Sequence, residues 1–372
     1  MKQASSLYSY NSPQSITWKI NKEAILLLSG PSALLMQLAH PLIAAAIHEH
    51  SLVMTHPFQR AIHTIQLTQR KAFGSDIVAH DAARTINRLH AHVQGTLSVD
   101  AGAYTKGTHY KAHDPQLLLW VHATLIVTAL RAYALLIGPL SDTEKEQYYQ
   151  ETKARVRLLG LPLDAMPVSL VDLEQYVDGM LNSNRLVVTP QASQLVQKVL
   201  FPTSLLPLRL LARFNLFMTC ALIPPPFRMM FGLQWTDRQQ RKFDHLARGM
   251  RAIFHFLPEC FRVLPSTRRM MRQARNAQRA SATSPFARFT VFFPRRAGST
   301  RWRETPGHSS RPGSADRPAQ ALPASPCPSS AGTAGQFSAD HNVFPEGVMG
   351  GRSVGTSASA RLSLQYPHSG RT

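Results

Sequence analysis

Eleven of the sixteen histidines lie between His40 and His122, several of them inside segments otherwise built from Leu, Ala, Ile and Val. An imidazole in such a setting has two chemical uses. As a neutral ring it ligates a metal or a haem iron, and near neutral pH it exchanges a proton. His40, His90 and His122 are candidates for the first use. Arg60, His63 and Thr64 form a second group, because at i, i+3 and i+4 they share one face of a helix. They bring a cation, a titratable ring and a hydroxyl to one place, a set able to polarise a substrate or hand it a proton. His48-Glu49-His50 has metal-binding residue types but lacks the i, i+4 spacing that puts two imidazoles on one helical face. The chain contains no Gly-rich phosphate loop, no GxSxG elbow and no CxxCH attachment site, so any haem is expected to be held without a covalent link.

Four apolar, helix-length segments between Ser29 and about Gly138 must position these groups. A helix over Ala24–Ser29 is broken at Gly30-Pro31. The next runs through Gln37 and His40 and is interrupted at Pro41, whose ring frees the carbonyls before it. Pro57 to Phe73 reads as a helix closed by Gly74. Asp81 to Val93 reads as another, with Ala83, Ile86, Leu89, His90 and Val93 on one stripe, which turns His90 inward and His92 off it. Residues 98–113 read as loop. Asp114-Pro115 then opens the most apolar helix, Gln116–Leu136, with His122 in its first half. Ser141 and Glu144 have capping-box spacing for a helix that stops at Gly160. Ser169–Asn182, Thr189–Leu200 and Thr236–Phe256 read as further helices. The stretch 201–233 is very apolar, broken by prolines and edged by Arg209, Arg213 and Arg228. It suits either core or a basic element at a membrane interface.

Composition sets the outer limits. The 372 residues carry a formal charge of +20. Thirteen Arg against four Asp/Glu place +9 of it in 271–372, leaving +11 in the remainder. This balance suits nucleic acid or an anionic membrane surface. No helix-turn-helix, zinc-knuckle or aromatic RNA-binding signature accompanies it, so no nucleic acid partner is expected, whereas a peripheral membrane contact is. Cys220, Cys260 and Cys327 form no CxxC pair and point to neither a disulfide framework nor a thiolate metal site. The first residues contain no apolar h-region and no twin arginine, so the expectation is a cytoplasmic, membrane-associated at most, protein without a secretion signal. Ala24–Ile47 and Leu117–Leu140 are long enough to span a bilayer, but Gly30, Pro31, His40 and Pro41 in the first, and His122 and Arg131 in the second, favour buried helices. The fold expected is all-α: a single helical bundle over 21–275 around a buried pocket. A polar N-terminal arm (1–20) precedes it, and a disordered Arg/Ser/Pro/Gly-rich tail (276–372) follows.

The segments QLAHPLIAAAIHEHS, R-x-x-H-T before a closing FG, LHAHVQG, DPQLLLWVHATLIVTALRAY, GPLSDTEKEQYYQE and IPPPFRMMFGLQW, in that order, resemble the DUF2236 family of latex-clearing rubber oxygenases and the ER-bound oxygenase of mycophenolic acid biosynthesis. The similarity covers roughly residues 20–273. It implies an all-helical fold around haem b and oxidative cleavage of a carbon–carbon double bond, with dioxygen (O2) and a hydrophobic small-molecule or polymer substrate as partners. It also implies a distal set with Arg, Lys and Thr at R-x-x-K-T spacing. Arg60 and Thr64 match that set, while His63 stands where the relatives have Lys. The proximal iron ligand of the relatives matches His90 in LHAHVQG, and His122 in WVHATL matches a second histidine near the haem, with the two roles interchangeable at this level. His40, before a proline, is the third candidate for the haem surroundings. A haem- or lipid-binding helical protein without turnover is the alternative function.

Overall fold

The computed structural model describes residues 12–200 and 206–283, and the chain is all-α. In order come α1 (Ile16–Asn21), a 3-10 turn (Ala24–Ser29), α2 (Gly30–Leu38), α3 (Pro41–His50), α4 (Pro57–Phe73) and α5 (Asp76–Ala91). A ribbon follows, β1 (Gln94–Thr96) and β2 (His109–Lys111), then α6 (Pro115–Leu136) and α7 (Asp142–Val156). The remaining helices are α8 (Leu170–Asn182), α9 (Pro190–Leu200), α10 (Leu206–Leu222), α11 (Pro225–Met230), α12 (Asp237–Phe254), α13 (Glu259–Arg262) and α14 (Pro265–Thr283).

Helix α6 is the axis. Asp114 caps it through the Gln116 N–H, and Pro115 starts it where its missing donor costs nothing. Apolar side chains surround most of its circumference, so it is stable only when other helices cover it. The 3-10 turn, α2, α7, α8, α10 and α12 do so. Polar atoms pin the packing at points where an apolar core alone would allow sliding. Trp120 Nε1 donates to Met36 O at 3.2 Å, Gln37 Nε2 to Thr124 Oγ1 at 3.2 Å, and Arg131 Nε to Leu222 O at 2.9 Å. Among the described residues α6 is the one helix long and apolar enough to cross a membrane, and 67% of its apolar window is buried inside the fold. At Pro41 the chain turns by 113° between Ala24–Leu38 and Pro41–His50. Helices α4 and α5 pack on each other as a hairpin. The hairpin leans on the short turn Arg157–Leu159 through α5 and on α1 and α14 through α4.

Several sequence expectations change. Residues 16–20 are not part of a free polar arm. Ser15 caps α1, and Ile16, Trp18 and Ile20 are buried, with Trp18 Nε1 donating to Ala72 O at 2.9 Å. The helical fold therefore begins before residue 21. At the other end α14 continues past 275 to Thr283, and Met271 and Ala274 pack with Trp18, Phe73 and Val263. Two small or flexible apolar residues among arginines leave little visible periodicity. Helix α5 starts at Asp76, where Ser75 accepts from the Val78 N–H, and it ends at Ala91, short of Val93. Its inward stripe is Ala79, Ala82, Ala83, Ile86 and His90, while Leu89 is exposed. Part of the expected loop 98–113 is strand: Gly95 pairs with Tyr110 in an antiparallel ribbon too short to show alternation. The stretch 201–233 divides. Met218, Cys220, Leu222, Ile223 and Phe227 are core, whereas Leu210, Leu211 and Phe214 are exposed. The expectations for 1–11, 201–205 and 284–372 lie outside the described residues.

Candidate functional site

The α4/α5 hairpin and α6 bring Lys71, His90 and His122 to one neighbourhood. His122 projects from the side of α6 away from Thr124, which is engaged with Gln37 on α2. It is 5% exposed. Burial first, then the charges of Lys71 and His90, push its pKa down to about 3, so the ring is neutral at physiological pH. His90 lies on the inward stripe of α5, and its Nδ1 is buried without a hydrogen-bond partner. Burial and the neighbouring His113 lower its pKa as well. Lys71 is driven down to about 8, by burial and then by Arg155 on α7. Arg155 is itself buried, with Glu151 the acidic neighbour that supports its charge.

Arg60, His63 and Thr64 share a face of α4 in the first half of the helix. Arg60 is half-buried, and loss of solvent lowers its pKa without removing its charge. His63 and Thr64 are exposed, and the Thr64 hydroxyl donates to Arg60 O at 2.8 Å. At 100° per residue Arg60, Thr64, Leu67 and Lys71 fall on one stripe, which runs from the surface to the buried end of α4. His40 sits apart from this group. It precedes α3, its Nε2 lies 3.1 Å from Tyr104 Oη, and its Nδ1 is buried and unpartnered. Burial, then Arg185, pushes its pKa down to about 4. The structure thus brings His90 and His122 together and leaves His40 with Tyr104.

Lys71, Arg155 and His113 escaped the sequence reading. A signal existed for Lys71, which stands eleven residues after Arg60 on the same stripe. None existed for His113, an exposed residue whose Nε2 lies 3.2 Å from Asn87 O and whose ring reaches His90 only through the fold.

Among the described residues no group of three or more His, Cys, Asp or Glu could hold a bare metal ion. A haem iron asks for only one axial side chain. The residues fit a haem on three counts. His90 offers an unpartnered buried nitrogen beside a second neutral imidazole. The interior around them is basic, which suits a macrocycle carrying two carboxylates. Large apolar side chains also stay uncovered on the three helices that carry the site, namely Phe58 and Ile62 on α4, Leu89 on α5 and Leu125 on α6. An open hollow of about 560 Å³, lined by Arg84, Asn87, Arg88 and Ala91, lies on the outward face of α5, away from the stripe that carries His90.

Residues 18–252 match the model of a catalytic domain described as that of ER-bound oxygenase mpaB/B' and rubber oxygenase. The uncharacterized proteins Mb2261 of Mycobacterium bovis and Rv2237 of Mycobacterium tuberculosis are each 30% identical to the chain over 231 residues, 60% of this chain and 87% of theirs. No solved structure matches it. With the matched model covering most of the helical region around His90 and His122, the chain belongs to the family of ER-bound oxygenase mpaB/B' and rubber oxygenase catalytic domains.

Proposed function

We propose that the chain is a haem b-dependent oxygenase that acts on a hydrophobic unsaturated substrate, isoprenoid or lipid-like, by oxidative cleavage of a carbon–carbon double bond. The observation that carries this reading is the meeting of two neutral imidazoles, His90 and His122, in a basic interior within an oxygenase catalytic domain. His90 would hold the iron, and His122 would flank the macrocycle as a neutral ring. When bound, the haem supplies the redox-active iron for dioxygen chemistry.

The chain's own residues account for the rest. Arg60 keeps a positive charge in a poorly solvated place, where it favours negative charge developing on a substrate oxygen. Thr64, whose hydroxyl donates to Arg60 O, stands one turn further along the same stripe. Lys71 Nζ, with a pKa near 8, can release or take a proton close to neutral pH. His63 is exposed on α4 beside this stripe. The uncovered Phe58, Ile62, Leu89 and Leu125 offer apolar walls to a hydrocarbon. One alkene and one dioxygen would yield two carbonyl products, so no further oxidant is needed.

The test is the visible spectrum of the haem-loaded chain beside His90→Ala and His122→Ala, followed by oxygen uptake with an unsaturated apolar substrate. A Soret band lost or shifted in His90→Ala alone supports His90 as ligand, and one lost only in His122→Ala moves ligation to His122. A chain that takes up no haem removes the reading. The exposure of His63, at the position where relatives have Lys, supports a second reading: haem or lipid binding without turnover. Haem retention without oxygen uptake would select it.

A further inference from the structure

We propose that the turn joining α12 to α13 docks the protein on an anionic bilayer surface. It lies just beyond the family-matched residues 18–252, and nothing in the oxygenase reading uses it. Phe256 is 86% exposed and Phe261 76%, and Ile253 and Leu257 beside them are exposed too. Four large exposed apolar side chains thus fall within nine residues, a density that a soluble surface ordinarily covers.

Their exposure is built in. Phe254 and Val263, on either side, are buried in the fold. The backbone closes on itself through Phe256 N to Ile253 O at 3.0 Å, Leu257 N to Phe254 O at 3.3 Å and Phe261 N to Pro258 O at 3.0 Å. The Arg262 guanidinium lies over the Phe254 ring, 4.6 Å from its centroid, and also reaches the buried Glu23 at 3.4 Å. The turn is therefore a preformed knuckle and loses little conformational freedom on docking.

The charge around the knuckle identifies the partner. From Arg248 to Arg275 there are seven arginines and a single carboxylate, Glu259, a formal balance of +6. A hollow of about 380 Å³ beside the turn brings Lys19 and Lys22 to Arg262, with Glu23 as its acidic group. Beside that ion pair, Arg262 Nε and Glu23 Oε2 are buried without a hydrogen bond. Exposed apolar tips on an arginine-rich stretch match a bilayer with anionic headgroups, whose phosphates would meet the arginines while the rings enter the acyl boundary. A second copy of the chain would set seven arginines against seven. Of the four tips Phe256 and Phe261 are aromatic, whereas Ile253 and Leu257 beside them suit acyl chains rather than nucleobases.

The experiment is flotation of the full chain with vesicles of phosphatidylcholine alone or mixed with phosphatidylglycerol. We expect association with the mixed vesicles, weakened by salt. Phe256→Ser combined with Phe261→Ser should weaken it by at least about tenfold with an unchanged circular dichroism spectrum, since both side chains are already in solvent. In a Phe256→Trp chain the added fluorescence should be quenched by brominated acyl chains. Any of three outcomes overturns the proposal: no association with mixed vesicles, full association of the double Ser variant, or a self-association or oligonucleotide binding that the double Ser variant loses while vesicle binding is absent.

Discussion

The imidazole of His113 meets that of His90 edge to face, with ring centroids 5.8 Å apart. His113 stands on the exposed loop before α6, and its Nε2 lies 3.2 Å from Asn87 O in α5, so it links the candidate ligand to the surface. His113→Ala should cost no more than about 1 kcal/mol of stability, because the side chain is largely solvated. It should also raise the pKa of His90 in the haem-free chain, since His113 is one of the two causes that hold it down. Urea melts and the titration of the His90 ring by NMR check both parts. An unmoved His90 titration would show that the ring contact has no electrostatic consequence.

Trp18 is 2% exposed, bonds Ala72 O and meets the Phe73 ring at 5.4 Å. It closes a small core that includes Val263, Met271 and Ala274 and so ties the two ends of the described chain to α4. Trp18→Ala should cost on the order of 3–5 kcal/mol, and Trp18→Phe less, though it still leaves Ala72 O short of a donor. Denaturant midpoints of the two variants measure this. If both melt like the parent, α1 adds nothing to the fold.

What the sequence disclosed and what it hid follow from the range of the interactions. Pro57 and Gly74 bound α4 as their local chemistry dictates, and the Ser141–Glu144 capping box closes in both directions. The break at Pro41 is likewise a property of one residue. Helix α1 was hidden because six residues rich in polar side chains become a helix only when Trp18 finds Ala72 and Phe73, more than fifty positions away. Ser75 is a sound cap, but it follows directly on Gly74, so no stretch of loop residues marks the start of α5. At the site, the inward turn of His90 could be read from periodicity. The company it keeps depends on where the hairpin stands in the fold, which periodicity does not encode. Lys71 shares a stripe with Arg60, but its burial and its neighbours Arg155 and His122 come only from the packed fold.

The buried histidines give a pH dependence of definite sign. The folded pKa of His40 is near 4 and that of His122 near 3, both below the unfolded value of 6.5. Between these values the unfolded chain binds more protons than the folded one, so stability is full above pH 6.5 and lost as pH falls toward the folded pKa. Each such group contributes a slope of about 1.4 kcal/mol per pH unit in that window. Urea midpoints of the haem-free chain at about pH 7 and about pH 5 should fall on acidification, and His40→Gln should flatten the fall. A midpoint independent of pH in this interval would mean that these rings are hydrated or paired.

Gly102 has φ +60, and a Cβ there would stand 2.2 Å from Asn184 O. That oxygen already accepts from the Ala103 N–H at 2.6 Å, so the two loops are locked at this point. Gly102→Ala should cost about 1–3 kcal/mol for the backbone conformation alone, before the clash is counted. The same loop carries Tyr104, so the variant should also disturb the His40–Tyr104 contact, visible as an upward shift in His40 titration. Wild-type stability in this variant would require the loops to part freely.

Arg60 separates a catalytic role from a structural one. Its guanidinium is half-buried on α4, and Thr64 bonds its carbonyl oxygen, a contact that survives truncation of the side chain. Arg60→Ala should therefore keep the helix and the Soret band while turnover falls about 10²-fold or more, the usual cost of removing one donor to a developing charge. Arg60→Lys should recover part of the loss, because charge is kept but the planar fork is not. Lys71→Met should act differently: with a pKa near 8 in the parent, loss of its proton should change the pH profile of turnover in that region as well as its height. Full turnover in Arg60→Ala with haem retained would remove Arg60 from the reaction and leave Lys71, at the inner end of the stripe, and His122 on α6 to carry it.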